Sequence, residues 1–185
     1  MVVRPTWREY EPGQGETVVS LDPGMAFGTG QHPTTRMCLA ALQELLRHGD
    51  LVLDLGTGSG ILAIAAAALG AGRCLALDRD EQAVKAATAN VALNAAEALV
   101  EVRRGSIEAV GGERYDLVVA NINAATVSDL AGDLWLALRP GGTLVAGGII
   151  SEQEGRCAAA LTSAGLGVDR TLAEGEWRTL VARRA

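Results

Sequence analysis

Residues 53–60 read Leu-Asp-Leu-Gly-Thr-Gly-Ser-Gly, and this stretch decides the fold. It lies between an apolar run, Leu51–Leu55, and an Ala/Leu-rich helical segment, Ile61–Leu69. Glycines at a strand-to-helix turn let the backbone pass close to a ligand, where any Cβ would collide. A second acid, Asp78, ends the next apolar run about twenty residues further on, where α/β proteins place a carboxylate that binds ribose hydroxyls. The pattern predicts a nucleoside-cofactor site.

The spacing of these glycines distinguishes between cofactors. The dinucleotide fingerprint is G-x-G-x-x-G, whereas Gly56, Gly58 and Gly60 follow Asp54 as D-x-G-x-G-x-G. The third glycine comes one residue early for a pyrophosphate at a helix N-terminus, and the Asp54 carboxylate would repel a diphosphate. A ligand with an ammonium or sulfonium tolerates that acid better. The motif resembles the first motif of Rossmann-like methyltransferases that use S-adenosylmethionine, with a nicotinamide enzyme or a binding-only domain as alternatives.

Composition narrows the class of protein. The 185 residues are enough for one α/β domain with a buried core. A net charge of −6 without a basic stripe argues against direct binding to nucleic acid. The longest apolar run is too short to span a bilayer, no secretion signal opens the chain, and no membrane partner is expected. Cys38, Cys74 and Cys157 lack metal-ligand spacing, so they indicate reduced thiols of a cytoplasmic protein that binds no metal.

Apolar strands alternate with amphipathic helices, which predicts an α/β fold with a mostly parallel seven-stranded sheet. The last two strands have no helix between them, so an antiparallel C-terminal hairpin is expected. Residues 1–20 resemble a linker-like arm, and residues 21–185 form the predicted catalytic domain. The predicted strands are 17–21, 51–55, 73–77, 99–103, 115–120, 143–147, 167–172 and 177–182, and the predicted helices are 33–46, 60–69, 81–94, 126–138 and 152–164.

A second signature precedes the first. Residues 21–35 read Leu-Asp-Pro-Gly-Met-Ala-Phe-Gly-Thr-Gly-Gln-His-Pro-Thr-Thr and hold the only Phe of the chain. Ordering a loop with this many glycines costs conformational entropy, which indicates that the loop binds a ligand. D-P-G-x-A-F-G-T-G-x-H-P-T-T followed by D-x-G-x-G-S-G-I-L-A-I-A-A resembles the ribosomal protein L11 methyltransferase family. The similarity extends through residues 119–122, 139–142, 148–149 and 176–177 and covers the chain from about Val3.

The resemblance implies a Rossmann-like fold, S-adenosylmethionine as cofactor, and ribosomal protein L11 as the protein partner, methylated on lysine side chains or its N-terminal α-amine. It implies that Asp78 accepts the ribose hydroxyls, that Thr35 reaches the amino-acid end of the cofactor, and that Ser106 lies near the adenine. Asn121 is implied as a cofactor ligand and is the expected catalytic residue. The other expected cofactor-binding residues are Phe27, Gly28, Thr29, Gly30, Asp54, Gly56, Gly58 and Gly60.

The residues around Asn121 bear on the methyl acceptor. The side-chain oxygen of Asn121 would accept an amine N–H bond and direct the nitrogen lone pair at the methyl carbon. Asn123 departs from the apolar residue expected of the family at this position. Ala124 and Ala125 are small, which suggests room for an amine that already carries methyl groups.

Four polar residues have simpler structural interpretations. His32 orders its loop in one reading and is a catalytic base in the less favoured one. Thr34 is a candidate cap of the first helix. Ser106 is a candidate cap of the short turn that follows Ser106 itself. Asp80 is expected to cap the following helix, which leaves ribose binding to Asp78.

The substrate is less determined than the chemistry. The family carries a separate N-terminal domain that recognises L11, and this substrate-recognition domain is expected to be absent, since residues 1–7 resemble the linker that follows it. Both a catalytic-domain fragment and a short relative fit the sequence. An N-methyltransferase of another protein or small amine, and a non-catalytic S-adenosylmethionine-binding module, are the alternatives. The sequence leaves the oligomeric state open, with a monomer favoured.

Overall fold

The structure, a computed structural model, describes residues 1–22 and 30–185. In chain order its strands are β1 (Val2–Pro5), β2 (Val18–Leu21), β3 (Leu51–Leu55), β4 (Arg73–Asp78), β5 (Val100–Arg104), β6 (Tyr115–Asn121), β7 (Leu138–Ile150), β8 (Leu166–Glu174) and β9 (Trp177–Arg184). Its helices are α1 (Pro33–Leu45), α2 (Ile61–Ala68), α3 (Glu81–Leu93), α4 (Ala124–Asp129), α5 (Ala131–Ala137) and α6 (Ser151–Ser163), and a 3-10 helix follows β5 at Ile107–Val110.

Seven strands form one sheet in the order β5-β4-β3-β6-β7-β9-β8. The first five are parallel to one another, whereas β9 runs antiparallel to both β7 and β8. The predicted mostly parallel seven-stranded sheet with an antiparallel C-terminal hairpin is confirmed. Because β4 lies on one side of β3 and β6 on the other, the strand order reverses at β3. A crevice opens at the carboxyl ends of strands at such a point, which is where α/β proteins bind ligands.

The sheet has an apolar core on each face, as expected for strands covered by helices. In β6, Leu117 and Val119 belong to one core, and Val118 and Ala120 to the other. Helix α2 is buried from Ile61 to Ala67, and its small side chains allow close packing on the sheet. This packing holds the first residue of α2 against the sheet, immediately after Gly56, Gly58 and Gly60 in the chain.

Three elements differ from the sequence-based prediction. Strand β1, in the arm, was not expected; it pairs in parallel with β2. The helix predicted at 126–138 is divided into α4 and α5 at Leu130, whose φ of −93° and ψ of 5° leave the helical region. Strand β7 starts at Leu138 rather than Thr143, because Leu138 pairs with Tyr115 before a register shift. Residues 139–142 themselves have no partner in β6, and Gly141 has a φ of +77°, so the turn expected there is kept as a bulge within the strand.

Cys38, Cys74 and Cys157 are buried, and none of them forms a disulfide. Among the described residues, no group of three or more His, Cys, Asp or Glu side chains has a geometry that could hold a metal ion. In that part of the chain, too, none of the helices combines the length and the apolar character needed to cross a membrane.

Candidate active site

The glycine turn, residues 54–60, connects β3 to α2. Gly56, Gly58 and Gly60 have φ values of +74°, +56° and +85°, a region that L side chains rarely adopt. The backbone N–H groups of Gly56 and Thr57 both donate to the carbonyl of Leu77, at 2.8 and 2.9 Å. A Cβ on Gly56 would lie 2.4 Å from the Cγ2 of Ile122, which follows β6. Glycine at position 56 therefore lets the turn lie against the end of a neighbouring strand.

Asp54 is buried inside the glycine turn. Its Oδ2 accepts hydrogen bonds from the Thr57 hydroxyl at 2.6 Å and from the Ala63 N–H at 3.1 Å. Its Oδ1 has no hydrogen-bond partner among the described residues. Burial raises the pKa of Asp54 to about 6, against the effect of these bonds, and the charge of Asp78 adds to the rise. Asp54 thus stabilises the turn and the start of α2, and cofactor binding by Asp54 stays a prediction.

Asp78, at the end of β4, faces the glycine turn. One carboxylate oxygen accepts from the Gly58 N–H at 2.9 Å, and the other from the Asp80 N–H at 3.0 Å. Each oxygen keeps a second lone pair, so the carboxylate can still accept hydrogen bonds from a diol. Asp80 caps α3 by accepting from the Gln82 N–H at 2.9 Å, as expected. The structure therefore separates the two acids: Asp80 is occupied by the helix, whereas Asp78 reaches the crevice.

A cavity of about 220 Å³ lies beyond the carboxyl ends of β3, β4, β5 and β6. Ser106 is buried at its wall and takes the N-cap position of the 3-10 helix, as expected, although its side chain makes no capping hydrogen bond. Its neighbour Gly105 donates from N–H to the Asp78 carbonyl at 2.8 Å, which ties the end of β5 to that of β4. The lining residues are Leu55, Gly56, Asp78, Arg79, Gly105, Ser106, Ile122, Asn123, Thr126 and Leu130.

Thr35 and Asn121 meet although they are 86 positions apart in the chain. The Asn121 Nδ2 donates to the hydroxyl of Thr35 at 3.4 Å, and the Thr35 side chain is fully buried in the first turn of α1. The Asn121 Oδ1 is buried and has no hydrogen-bond partner in the described ranges. The structure thus brings together Thr35, expected at the amino-acid end of the cofactor, and Asn121, the expected catalytic residue and cofactor ligand.

His32 caps α1. Its Nδ1 lies 2.8 Å from the Thr34 hydroxyl and accepts from the Thr34 N–H at 3.4 Å. Its ring and that of Trp177 are arranged edge to face, with the ring centroids 4.6 Å apart. The cap is therefore His32, and the interpretation of Thr34 as the cap is wrong. These contacts agree with the loop-ordering interpretation of His32.

The end of β6 is shaped by residues whose roles the sequence analysis did not identify. Asn123, the departure from the family pattern, caps α4 by accepting from the N–H and hydroxyl of Thr126 at 2.9 and 3.0 Å. A Cβ on Gly148 would lie 2.1 Å from the carbonyl oxygen of Ile122. The paired glycines Gly147 and Gly148 at the end of an apolar stretch were the available signal. We call residues 121–122 and 147–148 the β6–β7 wall.

The remaining expected ligands precede α1 in the chain. Phe27, Gly28 and Thr29 lie outside the described residues. Gly30 has a φ of +82°, and a Cβ there would lie 3.1 Å from Val3 of β1 and 3.2 Å from Ile61 of α2. Gly30 is therefore adjacent to the helix that the glycine turn starts, and its contact with a cofactor stays a prediction.

Comparison with known families gives one match over the whole length. The family model described as ribosomal protein L11 methyltransferase (PrmA) matches residues 1–185. The chain is 48% identical over 185 residues to the ribosomal protein L11 methyltransferase of Heliobacterium modesticaldum, covering all of this chain and 58% of that protein. It is 42% identical to the Listeria monocytogenes protein of the same name, again covering all of this chain and 59% of the relative. The chain thus spans less than two thirds of these curated relatives.

Comparison with solved structures also finds a ribosomal protein L11 methylase among the similar proteins. The ribosomal protein L11 methylase of Lactobacillus delbrueckii subsp. bulgaricus is 34% identical with a TM-score of 0.90, over 99% of this chain and 94% of that one. An RNA methyltransferase of Salinibacter ruber, solved with S-adenosyl-L-homocysteine, is 22% identical with a TM-score of 0.66, over 82% of this chain and 93% of that one. The second likeness shows the fold alone.

Proposed function

Because the chain belongs to the ribosomal protein L11 methyltransferase family, we propose that it transfers methyl groups from S-adenosylmethionine to amino groups of ribosomal protein L11. The acceptors are lysine side chains, the N-terminal α-amine, or both. The observation that carries the proposal is the crevice in which Asp78 and the glycine turn face a cavity of about 220 Å³. With a ribosomal protein as substrate, the proposed compartment is the cytoplasm.

The residues present fit this cofactor at both of its ends. At the nucleoside end, Asp78 has lone pairs for the ribose hydroxyls, and Gly56 and Ser106 line the adjacent cavity. At the cationic end, the Oδ1 atoms of Asp54 and Asn121 are buried acceptors without partners in the described part of the chain. Buried acceptors favour a ligand with N–H donors and positive charge over a diphosphate. These buried acceptors therefore disfavour a nicotinamide dinucleotide, whose diphosphate is negatively charged.

S-adenosylmethionine, when bound, supplies an electrophilic methyl group on a sulfonium sulfur. The protein must hold a neutral amine about 3 Å from the methyl carbon and in line with the sulfur. We assign this orientation to Asn121, whose Oδ1 accepts an N–H of the amine and turns the nitrogen lone pair toward the carbon. Thr35 keeps the amide in place through its contact with Nδ2. Positioning accounts for most of the catalysis proposed here, because a methyl displacement needs little acid–base assistance.

The proposal includes repeated methylation of one nitrogen. Ala124 and Ala125 follow Asn123 directly, and their side chains are the smallest after glycine. Asn123 is turned to the helix by its bonds to Thr126, so its amide is already engaged. Ala124 is buried in the apolar core, so the exposed Ala125 is the residue whose small side chain would leave room for an acceptor that carries one or two methyl groups. Finding only monomethylated L11 at saturating cofactor would contradict this part of the proposal.

The domain division is proposed on the same basis. Residues 21–185 contain the whole seven-stranded sheet and all of the expected site residues, which supports a catalytic domain. Residues 1–20 are proposed as a linker-like arm. The pairing of β1 with β2 lies almost entirely within this arm, and Val19 of β2 attaches the arm to the domain because it is buried in the core that contains α2.

Calorimetry and mass spectrometry test the function together. We expect micromolar binding of S-adenosylmethionine and none of NADH, followed by mass increases of 14 Da per methyl group on L11. If the chain binds the cofactor but methylates free amines or other ribosomal proteins instead of L11, the substrate is one of those acceptors. Binding without any transfer would favour a non-catalytic module. No binding at millimolar cofactor would contradict the proposed site.

A further inference from the structure

Gly147 lies between two polar side chains of neighbouring strands. It pairs with Asn121 of β6 on one side, and the register between β7 and β9 shifts at this point, between Ala146 and Ile149. Thr179 of β9 faces this irregularity, since its neighbours Leu180 and Arg178 pair with Ala146 and Ile149. Bulges of this kind occur next to functional sites, where they redirect a side chain.

The side chains of Asn121 and Thr179 converge on the place where Gly147 has no side chain. A Cβ on Gly147 would lie 2.8 Å from the Asn121 Oδ1 and 3.3 Å from the Thr179 hydroxyl oxygen. It would also lie 2.7 Å from the Sγ of Cys38, which covers this point from α1. Burial raises the pKa of Cys38 to about 12, so the sulfur is a neutral thiol at ordinary pH. The Thr179 hydroxyl lies near enough to this sulfur to oppose the rise of its pKa, so Cys38 is an uncharged and weaker alternative partner for that hydroxyl.

Both oxygens are buried and lack a hydrogen bond of normal length and angle within the described residues. Thr179 itself is completely buried, so bulk water does not satisfy its hydroxyl. One of the two groups is a carbonyl oxygen that only accepts, whereas a threonine hydroxyl can donate. Buried polar groups in native proteins are almost always paired, so two complementary groups within reach of one point are natural partners.

We propose that Thr179 is a positioning residue for Asn121. Its hydroxyl donates to the Asn121 Oδ1 across Gly147, directly after a small rotation or through one bridging water. The amide of Asn121 is then held at both ends, by Thr35 at Nδ2 and by Thr179 at Oδ1. The orientation of the amide, and with it the direction of the amine that Oδ1 receives, depends on a residue at the far side of β7. The catalytic consequence rests on the proposed function, whereas the hydrogen bond does not.

Thr179→Val removes the hydroxyl and keeps the shape, and Thr179→Ser retains the hydroxyl. We expect Val to lower kcat by about tenfold, with the Kd for S-adenosylmethionine and the KM for L11 within threefold, and Ser to restore kcat. In an Asn121→Ala background, Val should have no further effect on kcat. Thr171→Val is the matched control: its hydroxyl donates to Glu154 at the surface, and its loss should leave kcat unchanged.

A spectrum of the nitrogen-15-labelled chain gives a readout that needs no activity. The side-chain NH₂ signals of Asn121, assigned by their absence from Asn121→Ala, should shift in Thr179→Val and stay in place in Thr179→Ser. Should Val prevent folding, Thr179→Ala and Thr179→Ser, which differ by one hydroxyl, are compared in the same way. If the unsubstituted chain methylates nothing, the proposed function fails and the spectrum still decides on the hydrogen bond. Unshifted Asn121 signals in every hydroxyl-free variant, or equal kcat in the variants with and without the hydroxyl, would overturn the proposal.

Discussion

The glycine turn and the β6–β7 wall both adjoin the proposed cofactor site, but they are stabilised by contacts of different range. In the glycine turn, Asp54 bonds to Thr57 and Ala63, all within ten positions of the chain. In the wall, Asn121 bonds to Thr35, 86 positions away, and Ile122 packs on Gly148. The turn therefore combines its local backbone conformation with hydrogen bonds to the end of the neighbouring strand β4, whereas the wall depends throughout on the correct pairing of the sheet. Substitutions on the two sides should fail in different ways.

Gly148→Ala is expected to have the largest effect, because it breaks the wall. Gly148 has a φ of +77°, and the new Cβ would lie 2.1 Å from the Ile122 carbonyl oxygen, a backbone atom that cannot move alone. We expect a loss of roughly 3–5 kcal/mol in the free energy of unfolding, measured by urea denaturation. Gly132→Ala in α5 is the control, because no atom lies within 4 Å of its added methyl group. Equal stability of the two variants would mean that the wall is not a packed unit.

Asp78→Ala tests the side of the glycine turn. We expect a loss of roughly 1–3 kcal/mol in the binding of S-adenosylmethionine, measured by calorimetry, because the ribose hydroxyls lose a charged acceptor. Asp80→Ala is the matched control, since it removes the cap of α3 and should lower stability by about 1 kcal/mol without changing affinity. An unchanged affinity in Asp78→Ala would remove this residue from the site.

Asn121→Ala tests the chemical role assigned to the wall. Turnover on L11 should fall by about tenfold or more, while the Kd for the cofactor changes only a few-fold, because Asn121 is assigned to orient the amine. Single-turnover methylation and calorimetry on the same preparation separate the two quantities. A collapse of cofactor affinity would instead make Asn121 primarily a cofactor ligand.

Asp54→Asn sharpens the comparison through its pH dependence. The pKa of Asp54 is about 6 in the folded chain against an ordinary 3.8, so the folded state binds the proton more tightly. The resulting stabilisation is complete below the ordinary value and is lost as the pH rises through about 6. The unsubstituted chain should therefore lose about 1 kcal/mol of stability between about pH 5 and pH 7.5 that Asp54→Asn does not lose. Parallel stability curves for the two proteins over that range would contradict the burial of an ionisable Asp54.

Most elements of the sheet could be predicted because their strands are continuous apolar runs bounded by turn residues. Where prediction failed, a long-range pairing decided the conformation. Strand β1 exists through its hydrogen bonds to β2, and β7 extends back to Leu138 through its pairing with Tyr115. The break between α4 and α5 lies at Leu130, two positions before Gly132, and a single glycine inside a helical pattern is too weak a signal to predict a break.

By itself the sequence determined the α/β class, the glycine turn and the two acids at the carboxyl ends of β3 and β4. It could do so because a positive φ is a local property of glycine, and because strand-to-helix turns place the same positions at the crevice in every such fold. Only the tertiary structure decided that Asp54 is enclosed while Asp78 is accessible, and that Thr35, Cys38, Asn121, Gly147 and Thr179 form one cluster. These residues come from four elements, so their contacts depend on strand order and register, which no short stretch of sequence contains.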